Sequence, residues 1–427
     1  MPVHASTWWT GKTLTRIVHT SHDSLTKSSR RRQSAHSFRS QDSAKCRQRL
    51  LEREICKLSA FPPIQPRHDR PKHAEAQHTQ ADAAGPAWHL RVLGKQADGH
   101  RLAELGLQDL GEAVAAAAGV GGDGRGNGTV NLHYLTPAEM SQFVTGAHAL
   151  GKKAVVTIKD NDQHLEAFSQ NTAPEVIEAF VSNIKAFVIS NAYDGVDIDW
   201  EAKVTVGPYV NLLSRLRHAL GEAKLITLAV GNWSQLDSVA AQAQAQVDHI
   251  NVMCYDMDDT RSYAWHNAAL LQNGDQDKMT CDWRVRAFTQ AGVSRDKVGI
   301  GIPFYGRRWT GVTEPVQLNG SRSAGWVNYR DLVTDDRRWQ PAHQKWDSRH
   351  CTDYLSIPAL HEFDSFNGVR SIDEICRWAR AEGFGGFMSF ELSNEYLPAQ
   401  TGDARYPLST ALWQAAHGGT PPDPQRP

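Results

Sequence analysis

The chain has 427 residues, enough for one large domain or two ordinary ones. With 40% hydrophobic residues it can bury a sizeable core, and a formal net charge of −1 argues against nucleic acid as the main partner. No apolar stretch is long enough to span a membrane, so a membrane partner is not expected either.

Residues 1–85 are polar, rich in His, Gln and Pro, and basic at the start, with a triplet at Arg30, Arg31 and Arg32. We expect this segment to be disordered. It lacks the apolar core of a secretory signal, and its Ser/Arg-rich, acid-poor opening has the faint texture of an organelle transit peptide. Residues 86–128 turn to Ala, Gly, Arg and Gln. A helix around Leu102–Ala118 is the only clear element expected there, with Trp88–Leu93 a poor strand candidate. From Thr129 to about residue 416 the texture becomes that of a patterned globular domain, and 417–427 form a loose tail. The abrupt loss of β-branched residues upstream of Thr129 suggests that what precedes it is not the domain's native opening. Six cysteines fit neither a dense disulfide scaffold nor a closely spaced zinc motif. A bridge among Cys254, Cys281, Cys351 and Cys376 stays open.

Within the patterned domain, apolar runs alternate with amphipathic stretches. Strands are predicted at Lys153–Ile158, Gly195–Asp199, Leu225–Val230, His249–Cys254, Val298–Ile302 and Gly386–Phe390, with Thr129–Leu132 a weaker candidate. Helices are predicted at Pro137–Leu150, Pro174–Asn191, Tyr209–Leu220, Asp282–Ala291 and Ser371–Glu382. This order gives an α/β fold, either a (β/α)8 TIM barrel or a doubly wound sheet. Polar and acidic residues gather at the C-terminal ends of several strands, and no Gly-x-Gly-x-x-Gly turn is present. Both features favour the barrel. Its first two strands are expected to be irregular or missing.

The segment Asp194-Gly195-Val196-Asp197-Ile198-Asp199-Trp200-Glu201 carries most of the functional information. On a strand, Asp197, Asp199 and Glu201 share one face and Val196, Ile198 and Trp200 the other. Buried like charges are costly, so such a ladder points to chemistry. A solvated edge strand fits poorly with the apolar set opposite, and a divalent-metal site lacks nearby histidines. A carboxyl among other carboxylates has its pKa raised, which suits Glu201 as a general acid.

This segment resembles the fourth-strand signature of glycoside hydrolase family 18, the chitinase family. Met253-Cys254-Tyr255-Asp256, Trp265-His266-Asn267-Ala268, Gly301-Ile302-Pro303-Phe304-Tyr305-Gly306-Arg307 and Gly385-Gly386-Phe387-Met388 follow in the family's order. The resemblance covers about residues 129–413. It implies a TIM barrel that hydrolyses β-1,4-linked N-acetylglucosamine polymers with retention, using the substrate's own acetamido group. Glu201 would be the general acid/base, Asp199 would orient the acetamido group, Asp197 would share its charge, and Tyr255 would bond the acetamido oxygen. Asp256, Met253, Tyr305, Arg307, Trp309 and Phe390 would bind the sugar. The resemblance implies no metal or other cofactor, a monomer, an N-acetylglucosamine-containing oligo- or polysaccharide as partner, and a secreted protein. Departures are Thr157-Ile158-Lys159-Asp160, where the family usually has Ser-x-Gly-Gly, and Phe390, where it commonly has tryptophan. A sugar-binding protein without turnover, or a hydrolase of peptidoglycan or N-glycan cores, are the alternatives.

Overall fold

A parallel strand buried on both faces needs apolar side chains on either side, so it reads as a continuous apolar run rather than an alternation. The runs Ala154–Lys159, Leu225–Val230 and Val298–Pro303 have this character, and all three are strands in the computed structural model of the protein. The structure describes residues 87–92, 112–120, 126–132, 136–149, 151–159, 165–231, 235–257, 263–315 and 322–417. The segment expected to be disordered, residues 1–85, lies outside these, and the next zone supplies a strand at its start.

The strands in chain order are β1 Ala87–Val92, β2 Glu112–Val120, β3 Val130–Leu132, β4 Ala154–Lys159, β5 Gly195–Asp199, β6 Leu225–Val230, β7 His249–Val252, β8 Val298–Pro303, β9 Tyr305–Thr310, β10 Arg322–Asn328, β11 Gln344–Asp347, β12 Thr352–Ile357, β13 Glu362–Phe366 and β14 Gly386–Phe390. The helices are α1 Pro137–Ala149, α2 Ala167–Asn171, α3 Ile177–Ser190, α4 Val206–Leu220, α5 Gln235–Ala243, α6 Cys281–Gln290, α7 Tyr329–Val333, α8 Val369–Ala381 and α9 Pro407–Ala416. Among the described residues, parallel pairings run β1-β2-β4-β5-β6-β7-β8-β14 and return from β14 to β1. The result is a closed (β/α)8 barrel, the fold class expected from sequence.

The opening strands correct one expectation. Glu112–Ala118 belongs to β2, not to a helix. Its sequence, EAVAAAAGV, has high intrinsic helix propensity, but pairing with β1 on one side and β4 on the other overrides it. The irregularity anticipated here is present as a register shift between Val114 and Ala117, and as the short antiparallel β3 paired to the end of β2. The weak candidates at Trp88–Leu93 and Thr129–Leu132 correspond to β1 and β3.

The helices pack as amphipathic cylinders around the barrel. On α3, Phe180, Val181, Ile184 and Val188 form the buried stripe; on α4 it is Tyr209, Leu212, Leu213 and Leu216. α1 begins with a reciprocal capping box: Thr136 N–H donates to Glu139 Oε2 at 2.6 Å and Glu139 N–H to Thr136 Oγ1 at 3.3 Å. α9 is capped from a distance by the fully buried Glu395, whose carboxyl accepts the N–H of Leu408 at 2.5 Å and of Ser409 at 3.1 Å.

Burial pushes the Glu395 carboxyl up to about 7, against the opposing pull of the α9 donors. A carboxyl whose folded pKa is raised stabilises the fold fully below its unfolded value near 4.5. That contribution is lost as pH rises through 7. We expect Glu395→Gln to remove this loss, worth roughly 3 kcal/mol. The stability difference between variant and wild type, from urea unfolding at pH 4.5 and at pH 8, should therefore shift in the variant's favour at the higher pH. An unchanged difference would refute the assignment.

Between β8 and β14 the chain builds a second unit that the sequence reading did not anticipate. It is an antiparallel sheet in the order β10-β9-β13-β12-β11, with α7 following β10. β9 starts two residues after β8 ends, so this sheet rises directly from the barrel's C-terminal rim.

Candidate active site

Strand β5 supplies the acids. Asp197 and Asp199 face the barrel interior at 1% and 3% exposure, while Val196, Ile198 and Trp200 pack outward into the main core. Asp197 sits in register between Thr157 on β4 and Thr227 on β6. Thr227 Oγ1 donates to Asp197 Oδ1 at 2.6 Å and Thr157 Oγ1 to Oδ2 at 3.1 Å. Two hydroxyl donors offset part of the cost of burying that carboxylate. One register step along, Lys159 stands opposite Asp199. Glu201 follows just past the strand and is exposed. The order Asp197, Asp199, Glu201 is thus also an order of decreasing depth, with Glu201 at the C-terminal mouth.

A distinct apolar cluster lines that mouth: Ala229, Met253, Tyr255, Ala268, Tyr305 and Met388, with Phe390 packed against them. Tyr255 lies 5.9 Å from Tyr305, edge-on, and 5.8 Å from Phe390 at an interplanar angle of 25°. Tyr255 Oη points to Met388 Sδ at 3.8 Å. Gly301 makes room for this ring, because a Cβ there would lie 2.6 Å from Val252 O and 3.1 Å from Tyr255 Cε1. Gly299 does the same deeper down, where a Cβ would meet Asn251 Oδ1 at 2.5 Å.

Asp256 joins the barrel rim to the second sheet. Its Oδ1 accepts Tyr305 Oη at 3.0 Å and Trp326 Nε1 at 3.2 Å, and Arg307 Nη2 stands 3.9 Å away. Arg307 lies over the Trp326 ring at 5.2 Å. Asp256 is held with φ at +54°, a left-handed conformation that Asp tolerates better than most residues, and its N–H donates to Asn267 Oδ1 at 3.2 Å. Asn267 in turn donates from Nδ2 to Tyr305 O.

The neighbouring His266 fixes this loop. It is fully buried between Ser365 Oγ at 3.2 Å and Asp347 Oδ2 at 3.0 Å, and His350 Nδ1 reaches the same Asp347 oxygen at 2.8 Å. Burial lowers the His266 pKa against the pull of Asp347. Burial alone would raise Asp347, but the hydrogen bonds from both histidines outweigh it and hold that carboxyl well below the usual range. The three side chains offer donor atoms within 4.8 Å of one another and act here as a hydrogen-bonded pin.

The structure therefore gathers Asp197, Asp199, Glu201, Met253, Tyr255, Asp256, Tyr305, Arg307 and Phe390 around one end of the barrel. Trp309 is placed elsewhere, in a separate cluster with Ala264, Val312 and Phe363. Trp326, 67% exposed, holds the rim position through Asp256. Thr227 was missed altogether, although period-two alternation in the strand after the acid ladder is the signal that could have found it.

The sequence profile described as glycosyl hydrolases family 18 matches residues 151–395, more than half of the chain. Chitinase A1 of Niallia circulans is 28% identical over 260 residues, covering 51% of this chain and 37% of that protein. Chitinase 1 of Aphanocladium album is 27% identical over 243 residues, covering 51% and 55%. The chain thus spans about a third to a half of the length of these curated relatives. Among solved structures, the Ostrinia furnacalis group IV chitinase in complex with allosamidin superposes with a TM-score of 0.65 at 20% identity, over 78% of this chain and 100% of that one. With the profile spanning the acid ladder and both walls of the mouth, the chain belongs to glycosyl hydrolases family 18.

Proposed function

We propose that the protein hydrolyses β-1,4-linked N-acetylglucosamine polymers by a retaining, substrate-assisted route. The observation that carries this reading is the depth-graded ladder Asp197, Asp199, Glu201 ending at an aromatic mouth. Relatives named chitinases support it.

In this mechanism Glu201 protonates the glycosidic oxygen as the bond to the anomeric carbon breaks. The substrate's acetamido oxygen attacks that carbon and forms an oxazolinium ring. Asp199 orients the acetamido N–H and stabilises the developing positive charge, and Asp197, fixed by Thr157 and Thr227, shares its negative field. Tyr255 holds the acetamido oxygen in line. Glu201, now a carboxylate, then takes a proton from water, which opens the ring and restores the original configuration. Tyr305, Phe390 and Met253 cover the apolar faces of the sugar, while Arg307 and Asp256 bond its hydroxyls.

The test is incubation with a chito-oligosaccharide of defined length, followed by proton NMR of the first products. The expected new reducing end is the β-anomer. An initial α-anomer, or tight binding with no product, would sink the mechanism.

Asp256 gives a second check. In this mechanism Asp256 bonds a sugar hydroxyl, and a hydrogen bond to a charged group contributes about 1.5–3 kcal/mol. Asp256→Ala should therefore weaken oligosaccharide binding roughly 10–100-fold by calorimetry. Circular dichroism should be unchanged. An unaltered Kd would remove Asp256 from the binding surface.

A further inference from the structure

Cys254 lies between Met253 and Tyr255, two residues past the end of β7. Met253 and Tyr255 belong to the mouth cluster, whereas Cys254 faces the opposite way, into the main core. There it meets Cys281, the first residue of α6, whose backbone N–H is fixed by Ala269 O at 2.8 Å. Both side chains are 2% exposed, and their Sγ atoms stand 2.8 Å apart. That is closer than two unbonded sulfur atoms rest.

We propose that Cys254 and Cys281 are a disulfide-forming pair, whose bond closes into a covalent ring the loop bearing Tyr255, Asp256, His266 and Asn267. The other two buried cysteines do not share this arrangement. The Cys351 thiol points to Ser348 O at 3.8 Å, and Cys376 sits within α8. The assignment is therefore one bridge and two thiols among the four described cysteines.

The chemistry is thiol–disulfide exchange with a small-molecule disulfide of the glutathione type as oxidant. The thiolate of one cysteine attacks the small disulfide, forming a mixed disulfide and releasing one small thiolate. The second cysteine's thiolate attacks the protein-bound sulfur of that mixed disulfide and releases the other. Two electrons pass from the cysteines to the oxidant, and the two cysteine protons end on the released thiols. Burial pushes the Cys281 thiol well above its usual range, so Cys281 is a poor nucleophile once folded. Exchange belongs to the stage when α6 is still docking.

A bridge across 27 positions would restrict the unfolded chain and hold the Asp256 clasp to α6. It would do so whether or not the mouth cleaves sugar.

The experiment refolds the full chain in a glutathione redox buffer, blocks free thiols by alkylation in denaturant, and maps the peptides without reduction. The expected result is one species joining the Cys254 and Cys281 peptides, lighter than their sum by two hydrogens, with Cys351 and Cys376 alkylated. Reduction should lower Tm by several degrees, and Cys281→Ala should abolish that drop. Alkylated Cys254 and Cys281 in the refolded wild type, or either one joined to a different cysteine, would overturn the proposal. Because the mapping uses wild-type protein, it decides the matter even if the variant fails to fold.

Discussion

Replacing Glu201 with glutamine is expected to lower kcat on chito-oligosaccharides by about 10²–10⁴-fold, the range a positioned general acid contributes. The amide keeps the shape and hydrogen-bonding reach of the carboxyl but has no proton to give the leaving oxygen. Binding should survive, because the proposed mechanism has Tyr305, Arg307, Asp256 and Phe390, rather than the acid, hold the sugar. The informative measurement is therefore kcat against Kd in one preparation. A large fall in kcat with Kd within a few-fold of wild type is the expected pattern. Activity within a few-fold of wild type would show that some other group protonates the leaving oxygen. A matching loss of binding would instead make Glu201 a substrate-holding residue. Because Glu201 is exposed at the barrel mouth, the substitution should leave stability nearly unchanged.

The second large effect lies on the outward face of the same strand end. Trp200 is fully buried, stacked on Phe168 at 5.1 Å and 12°, and lies 4.9 Å from Tyr209. Its Nε1–H donates to Ala202 O at 2.7 Å, and Tyr209 Oη reaches Ile198 O at 3.2 Å. Trp200→Ala should cost about 3–5 kcal/mol, as expected when a large aromatic leaves a core that only partly collapses. Denaturant unfolding should show a lower midpoint with an unchanged slope. Trp200→Phe, which keeps the stack and loses the indole donor, should lie between the two. A cost below about 1 kcal/mol for the alanine variant would mean that the layer repacks freely. The indole anchors the peptide joining Asp199 to Glu201, so activity should fall further than the unfolded fraction accounts for.

Much of this site could be read from the chain because a strand has a two-residue period. That period separates Asp197, Asp199 and Glu201 from Val196, Ile198 and Trp200 without any structure. It does not say how far along a strand the site extends. Tyr305, Arg307 and Trp309 alternate on β9 in the same phase, yet Trp309 pairs in register with Phe363 on β13 and packs in a different cluster. The five strands of the second sheet were missed for a related reason. β11 is Gln-Lys-Trp-Asp, half of it exposed, and such short strands gain their stability from neighbours rather than from their own pattern. The alanine-rich β2 failed in the other direction, since its local propensity favours a structure that barrel closure excludes. Asp256 could be found as part of a motif. Its union with Tyr305 and Trp326 spans 49 and 70 positions of sequence and depends on how the two sheets meet.

Only Phe304 separates β8 from β9, and it is clamped from both sides. Its N–H donates to Phe390 O at 2.7 Å, and its carbonyl accepts Tyr329 N–H at 3.2 Å. Both backbone groups of the one residue between the strands are therefore taken, which ties the wall bearing Tyr305 and Arg307 to the floor bearing Phe390 and to the start of α7. On the proposed function, this wall and floor would offer a polymer a single set spacing, with the Tyr305 and Phe390 rings 6.1 Å apart, before any of the surrounding loops is considered.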